Sequence, residues 1–111
     1  MRKAKVFVAD RAVGELHEIE IGKKYRFEYY EDYDGEPVSI TMPSSKKVYE
    51  YDTFPPFFDG LLPEGYQLEA LLRTAKIDRN DMFKQLVAVG DDMIGNVSIQ
   101  EINQNNNTLS I

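Results

Sequence analysis

The stretch YRFEYY, residues 25–30, decides the class of fold because aromatic and polar side chains alternate along it. In an extended strand successive side chains point to opposite faces, so Tyr25, Phe27 and Tyr29 share one face. Aromatic residues also favour strands. The stretch therefore predicts a half-buried strand whose aromatic face is directed into the core.

The chain before this strand alternates in the same way. Residues 3–9 alternate around Val6, residues 10–14 have the composition of a turn, and a second extended run ends near Ile21. Two alternating runs joined by turn residues predict a β-hairpin. Residues 22–24 predict the next turn, which leads into the aromatic strand.

The chain after the strand contains shorter extended and irregular segments. Residues 31–37 are acidic and predict a solvated loop, while residues 38–42 and 48–51 predict short strands. Residues 54–58 include two adjacent prolines, which remove backbone donors and restrict the residue before each. This last segment therefore predicts an ordered loop rather than a regular helix.

Two helices and a final strand follow. Pro63 suits the first helical position, and apolar residues then recur at helical spacing, which predicts a helix over residues 64–75. Asp78 has the chemistry of an N-cap for a second helix, which Gly90 ends. Residues 95–102 return to alternation and predict the last strand.

The order of these elements indicates the architecture. Strands gathered first, then two helices, then one strand, predict an α+β domain: a small, twisted, mostly antiparallel sheet with two helices packed on one side. A chain of 111 residues has room for one core. We assign residues 1–102 to this domain and residues 103–111, which are rich in Asn, to a flexible tail.

Composition argues against several classes of function. The chain has no Cys and one His, so neither disulfides nor a zinc site of Cys and His ligands is expected. A net charge of −6 disfavours direct nucleic-acid binding, which draws affinity from Lys and Arg placed against phosphates. No apolar run has the length of a membrane span and no signal-peptide pattern opens the chain, so we expect a cytoplasmic protein.

Catalytic motifs are absent from the sequence. It has no Gly-rich phosphate loop of the Walker type and none of the kinase signature segments, so we expect no enzyme activity and no cofactor. A Ser-His-Asp hydrolase is formally possible because all three residue types occur. However, His17 lies in a strand pattern and no Ser occupies a nucleophile elbow, so an exposed strand histidine is the preferred interpretation.

Two further patterns have plainer explanations than a ligand site. Asp91, Asp92 and the carboxylates of the acidic loop suit a hard cation, but neither group has the spacing of a calcium loop. Solvated turns and helix ends explain them better. The aromatic strand has the side chains of a base-stacking platform without the basic groove that normally accompanies one, so sheet core is the better interpretation.

The stretch FFDGLLPEG, residues 57–65, is unusual because it places four large apolar residues and a proline in a loop. Such residues either fill the domain's own core or form an exposed patch of the kind that marks interfaces. A small domain has limited capacity to bury all of them, which favours an interface. The predicted partner-binding residues are Phe57, Phe58, Asp59, Leu61, Leu62, Pro63, Glu64, Gly65 and Tyr66.

At this stretch the chain resembles the N-terminal subdomain of HipA-type serine/threonine kinase toxins, which carries a motif close to F-F-x-G-L-L-P-E-G. Three further family elements occur in the same order. They are a Val-Gly-x-Leu turn at residues 13–16, a strand ending in proline at 39–43 and a Gly-x-Asp-x-x-Gly turn at 90–95. The resemblance covers the chain from residue 4 to about residue 102.

The chain departs from the family pattern at two places. Asn96 stands where the family usually has a small alanine, directly after the last glycine of the turn. The family usually has an arginine soon after the Leu-Leu-Pro-Glu-Gly element. None is evident here, where Tyr66 and Gln67 follow it. Both differences concern the details of an interface rather than the fold.

The resemblance implies a partner protein rather than an enzyme. Some toxin–antitoxin operons make a short kinase toxin and a separate HipS-like antitoxin equivalent to this subdomain, which neutralises the toxin. The implied partners are a HipA-like serine/threonine kinase and, in a larger complex, a helix-turn-helix DNA-binding protein. A start methionine just before the first strand fits this arrangement. The alternative is the N-terminal structural subdomain of a full-length HipA-type kinase, without independent activity.

Overall fold

The computed structural model describes residues 1–90 and 95–103. Five antiparallel strands form one sheet in the order β4-β3-β2-β1-β5, and three helices lie between the fourth and fifth strands of the chain. The strands are β1 (Arg2–Val8), β2 (Arg11–Glu20), β3 (Lys24–Tyr29), β4 (Val48–Tyr51) and β5 (Val97–Ile102). The helices are α1 (Pro56–Asp59), α2 (Gly65–Ala75) and α3 (Met82–Ala88).

One face of the sheet forms the core. The register places Ala4, Leu16 and Phe27 beside one another across β1, β2 and β3, and all three are fully buried. Tyr25 and Tyr29 lie on the same face of β3 and are buried too, which confirms the predicted aromatic face. The helices complete this core with Phe58, Phe83 and Leu86. The predicted α+β class is thereby confirmed.

The first hairpin turns earlier than predicted. The turn consists of Ala9 and Asp10, which both have positive φ (51° and 67°), as a tight two-residue hairpin turn requires. Residues 11–14, predicted as turn, therefore belong to β2. Gly14 is needed inside that strand because a Cβ there would lie 2.4 Å from the carbonyl oxygen of Glu28 in β3.

The predicted strand over residues 38–42 is wrong, because this segment forms turns. The hydroxyl of Tyr29 accepts a hydrogen bond from the Val38 amide (3.0 Å) and donates one to the Met42 carbonyl. Val38 and Met42 are buried while Ile40, between them, is 94% exposed. A buried tyrosine thus satisfies backbone groups that a strand would have paired in a ladder.

The two-proline segment also differs from the prediction. Residues 54–58 were expected to form a loop, but a single helical turn, α1, begins at Pro56. Proline is compatible with the first turn of a helix because backbone N–H groups there have no acceptor within the helix, so the N–H that proline lacks is not missed. The amides of Asp59 and Gly60 donate to the carbonyls of Pro55 and Pro56, which closes the turn.

The two longer helices are shorter than predicted at their N-termini. In α2 the N-cap is Glu64 and the helix begins at Gly65, so Pro63 lies outside it. In α3 the N-cap is Asp81, not Asp78, because the Asp81 carboxylate accepts from the Lys84 amide at 3.1 Å. Asp78 instead closes a preceding turn by accepting from the Asn80 amide.

A charged cluster holds α3 to the sheet. The guanidinium of Arg2 donates to both carboxylate oxygens of Glu18 (2.7 and 3.0 Å) and to both of Asp81 (3.1 and 2.9 Å), and lies 5.0 Å from the centre of the Phe83 ring. Glu18 is only 2% exposed and also accepts from the Tyr25 hydroxyl. Its burial is therefore matched by charge and by hydrogen bonds.

The residues that the structure describes contain no helix long and apolar enough to cross a bilayer. The predicted tail over residues 103–111 lies outside the described residues except for Asn103.

Removing the Arg2 guanidinium should destabilise the fold. Arg2→Leu leaves the Glu18 carboxylate buried without its counter-charge, a change that costs about 3–5 kcal/mol for a buried pair. Because 32% of the Arg2 side chain is exposed, we expect about 3 kcal/mol, measured by urea denaturation. The control is Arg79→Leu, which breaks an exposed pair with Glu69 and should leave the midpoint unchanged.

The same cluster predicts a loss of stability in acid. Burial acts to raise the pKa of Asp81, but hydrogen bonds from Arg2 and from the Lys84 amide outweigh it, so the pKa lies below its ordinary value of 3.8. Its stabilising contribution is complete above that value and is lost as pH falls through the lower folded-state pKa. Asp81→Asn should therefore flatten the decline in unfolding free energy between about pH 5 and pH 2. An equally steep decline in the variant would contradict this.

Candidate functional site

The segment over residues 57–66 begins in the core. Phe58 is fully buried, and its ring centre lies 5.7 Å from that of Phe27 in the middle of the sheet. Phe57 is half-buried and packs edge-on against Phe58, with 5.1 Å between ring centres. These two aromatic residues fix the start of the segment on the apolar face of the sheet.

The segment then leaves the core. Leu61, Leu62 and Pro63 are half-buried, and Tyr66 is 94% exposed. The backbone here is ordered, because the amides of Leu61 and Leu62 donate to the carbonyls of Phe58 and Asp59 (3.0 and 3.1 Å). Gly65 has a φ of +60°, a conformation that side chains disfavour, and it directs the chain into α2. The segment is thus a fixed turn that presents apolar side chains.

A groove of about 740 Å³ lies between this turn and α2. Its lining residues are Gly60, Leu61, Leu62, Pro63, Glu64, Gln67, Ala70, Leu71, Thr74 and Val89. The four from α2 are spaced i, i+3, i+4 and i+7, so they form one face of the helix. No residue of α2 is buried, which leaves this face accessible.

The groove combines apolar side chains with a few polar ones and carries one acidic group. Glu64 is its only charged lining residue, is exposed, and makes no ion pair or side-chain hydrogen bond within the described part of the chain. The Thr74 hydroxyl is already engaged, because it donates to the Ala70 carbonyl at 2.8 Å. Chemically, the arrangement suits burial of apolar side chains next to one cation.

The single histidine does not form a hydrolase site. His17 lies on the face of the sheet opposite the core, where its Nε2 is 2.9 Å from a carboxylate oxygen of Glu15 rather than near a serine. The expectation that it is exposed is wrong, since it is only 6% exposed. Its neighbours in register are Lys3 and Arg26, long side chains whose stems cover adjacent surface.

Glu15 shows how this outer face is organised. Burial acts to raise the pKa of Glu15, but hydrogen bonds from His17 and from the Tyr30 hydroxyl outweigh it and hold the pKa below its usual range. Burial and the Glu15 carboxylate together raise the pKa of Tyr30 to about 12. The phenol therefore stays protonated and donates. This cluster is a closed structural network.

A metal site and a base-stacking surface both receive no support from the described residues. Within residues 1–90 and 95–103, no three His, Cys, Asp or Glu side chains are placed to share a metal ion, and this includes the acidic loop over 31–36. Asp91 and Asp92 lie outside the described residues. The aromatic residues of β3 are buried and offer no stacking surface, as expected of sheet core.

Sequence patterns located part of the groove. Of the predicted partner-binding residues, Leu61, Leu62, Pro63 and Glu64 line it, Tyr66 is exposed beside them and Phe58 belongs to the core. The lining residues that the patterns missed are Gly60, Gln67, Ala70, Leu71, Thr74 and Val89. Helical spacing from Gln67 would have found those on α2. Val89 follows α3 and carries no local signal.

Two comparisons with known proteins point to one family. The family model described as HipA N-terminal domain matches residues 4–100. A solved structure described as "N-terminal domain of HipA toxin" superposes with a TM-score of 0.73 at 30% sequence identity, over 94% of this chain and 95% of that chain. A Haemophilus influenzae protein, named only "Uncharacterized protein", is 36% identical over 104 residues, which is 94% of this chain and 96% of that protein.

The division of the segment between core and surface predicts two different responses to truncation. Phe58→Ala removes a fully buried ring and should lower the unfolding free energy by about 3–5 kcal/mol. Tyr66→Ala removes an exposed ring and should change stability by less than about 0.5 kcal/mol. Equal losses in chemical denaturation of the two variants would contradict the placement of Phe58 in the core and Tyr66 in solvent.

Proposed function

Because this chain belongs to the HipA N-terminal domain family, we propose that it is the antitoxin of a split HipA-type toxin–antitoxin system. In this proposal it binds a short HipA-like serine/threonine kinase toxin in the cytoplasm and neutralises it by docking, without chemistry of its own. Docking acts by fixing the small lobe of the kinase or by hindering entry of its substrate.

The observation that carries the proposal is the exposed part of segment 57–66. Phe58 fixes the segment in the core, while Leu61, Leu62 and Tyr66 remain half or fully accessible. Burying one such side chain completely contributes about 1.5–3 kcal/mol to association. The internal hydrogen bonds of the turn reduce the conformational entropy lost on docking. An ordered, apolar and exposed turn is what a docking surface requires.

Charge supports a protein partner rather than nucleic acid. The net charge of −6 opposes contact with phosphates, so any link to DNA in this proposal runs through a helix-turn-helix protein in a larger complex. The HipA N-terminal domain is also distinct from the catalytic kinase domain, in keeping with a role that is not enzymatic.

A second candidate function is a structural subdomain of a full-length HipA-type kinase, without independent activity. The likeness to the N-terminal domain of HipA toxin favours it as well, because the same fold serves in that context. The two candidates differ in one measurable property. An antitoxin binds and silences a separately made kinase, whereas a structural subdomain acts only when covalently joined to it.

Co-expression with a short HipA-like kinase from the same operon, the partner that this proposal requires, tests it. We expect a stable complex on gel filtration, loss of kinase activity and rescue of toxin-arrested cells. Tyr66→Ala and Leu61→Ala should each weaken kinase affinity about tenfold, which corresponds to ~1.4 kcal/mol. Ile40→Ala is the matched control, since Ile40 is also 94% exposed but lies in another loop.

Two results would count against the antitoxin role. If the wild-type protein and the kinase elute separately and arrested cells are not rescued, the structural subdomain is the better account. If the complex forms but Tyr66→Ala, Leu61→Ala and Ile40→Ala all bind like wild type, the kinase is bound through another surface.

A further inference from the structure

The α2 helix is incompletely packed against its own domain. None of its eleven residues is buried, although it carries Leu68, Leu71 and Leu72. A helix of this amphipathic kind normally buries its apolar face against another element. Leu71 instead lines the groove together with Leu61, Leu62 and Val89, all of them half-buried. Burying these side chains under an additional structural element would therefore be favourable.

The backbone groups in the walls of the groove favour a helical partner segment over an extended one. The amides of Gly60, Leu61 and Leu62 all donate within the turn, and those of α2 from Leu68 onward are engaged within the helix, whereas the first-turn amides, including that of Gln67, have no partner within it. An extended peptide lying along α2 would find free amides only at that first turn and none along the rest of the helix, and backbone groups left unpaired are costly once buried. A helix satisfies its own backbone and needs only side-chain contacts from the groove.

Small residues make room for such a helix. Ala70 and Thr74 lie one turn apart on the lining face of α2, and both are exposed. Short side chains at this spacing allow a second helix to approach closely. A small metabolite is a poorer fit, because sites for small molecules combine apolar walls with several convergent polar groups. Here Thr74 is already hydrogen-bonded and Gln67 and Glu64 are the other polar lining residues.

Charge indicates whether the helix comes from a second copy of this chain or from a different protein. Glu64 has no cationic partner within the described part of the chain, so a Lys or Arg on the incoming helix would complete it. A second copy of this chain carries a net charge of −6, which disfavours its docking beside Glu64. A basic amphipathic helix of a different protein meets both requirements.

We propose that the groove between α2 and residues 60–64 receives an amphipathic α-helix of the kinase partner. Its apolar side chains pack on Leu61, Leu62, Leu71 and Val89, and a Lys or Arg on its flank pairs with Glu64. This inference rests on the proposed antitoxin function and adds to it the class of structural element that is recognised.

A matched pair of tryptophan substitutions on α2 tests the groove. Ala70 lines the groove and Ala75, on the same helix, does not, and both are exposed. Ala70→Trp should fill the groove and weaken binding of the purified kinase at least tenfold in calorimetry, while Ala75→Trp should bind within about twofold of wild type. Circular dichroism and melting curves establish that both variants fold. Ala70→Lys, which introduces a charge of the same sign as the incoming cation, should weaken binding similarly.

Glu64 gives an independent measurement. Glu64→Gln should weaken kinase binding about threefold and reduce the dependence of affinity on salt, because the screened charge pair is gone. A photo-crosslinker at Gln67 should attach to kinase residues spaced three or four apart, as on one face of a helix. A crosslink to a second copy of this chain, or to a kinase loop, would overturn the proposed occupant.

The outcomes separate this inference from the function on which it rests. If the wild-type protein binds the kinase and Ala70→Trp binds equally well, the antitoxin role stands and the groove is not the contact. If the wild-type protein does not bind the kinase at all, both proposals fail.

Discussion

The contact between Phe58 and Phe27 sets the position of most of the chain that follows β4. The sheet has one apolar face, and a sheet of this kind is stable only when another layer covers that face. Phe58 provides part of that layer over β3, Phe83 and Leu86 of α3 provide another part, and Tyr33, Val38 and Met42 from the loop before β4 belong to the same core. The turn between α1 and α2 consequently lies at the edge of the core.

The position of α2 follows from the same arrangement. Once α1 and α3 occupy the apolar face, α2 has no sheet surface left to cover, and none of its residues is buried. The Arg2 guanidinium ties the N-cap of α3 to β2, because it donates to both Glu18 and Asp81. The groove beside α2 is thus a consequence of how the core is filled.

Local patterns in the sequence were sufficient to predict most of the sheet, the two longer helices and the mixture of buried and exposed apolar residues in segment 57–66. What they missed depends on contacts between distant residues. Residues 38–42 alternate like a strand, but the hydroxyl of Tyr29 engages their backbone instead. Asp78 and Asp81 are equivalent N-caps by composition, but in the structure Asp81 accepts from the Lys84 amide and is also bonded by Arg2, 79 positions earlier in the chain. The burial of His17 likewise depends on side chains in neighbouring strands.

Under the proposed antitoxin function, the energetics of association require more contact surface than a fused subdomain needs. In a fused chain a short linker holds the two parts at an effective concentration of about millimolar, so weak contacts suffice. A separate protein that binds at about nanomolar concentration needs roughly 8 kcal/mol more binding free energy. Millimolar and nanomolar differ by about six tenfold steps in affinity, and each step is about 1.4 kcal/mol. Tyr66 is fully available, but Leu61 and Leu62 are already half-buried and contribute less than the ~1.5–3 kcal/mol of a complete burial. The turn alone falls short of the requirement, and the apolar surface of the groove beside it is the nearest source of the remainder.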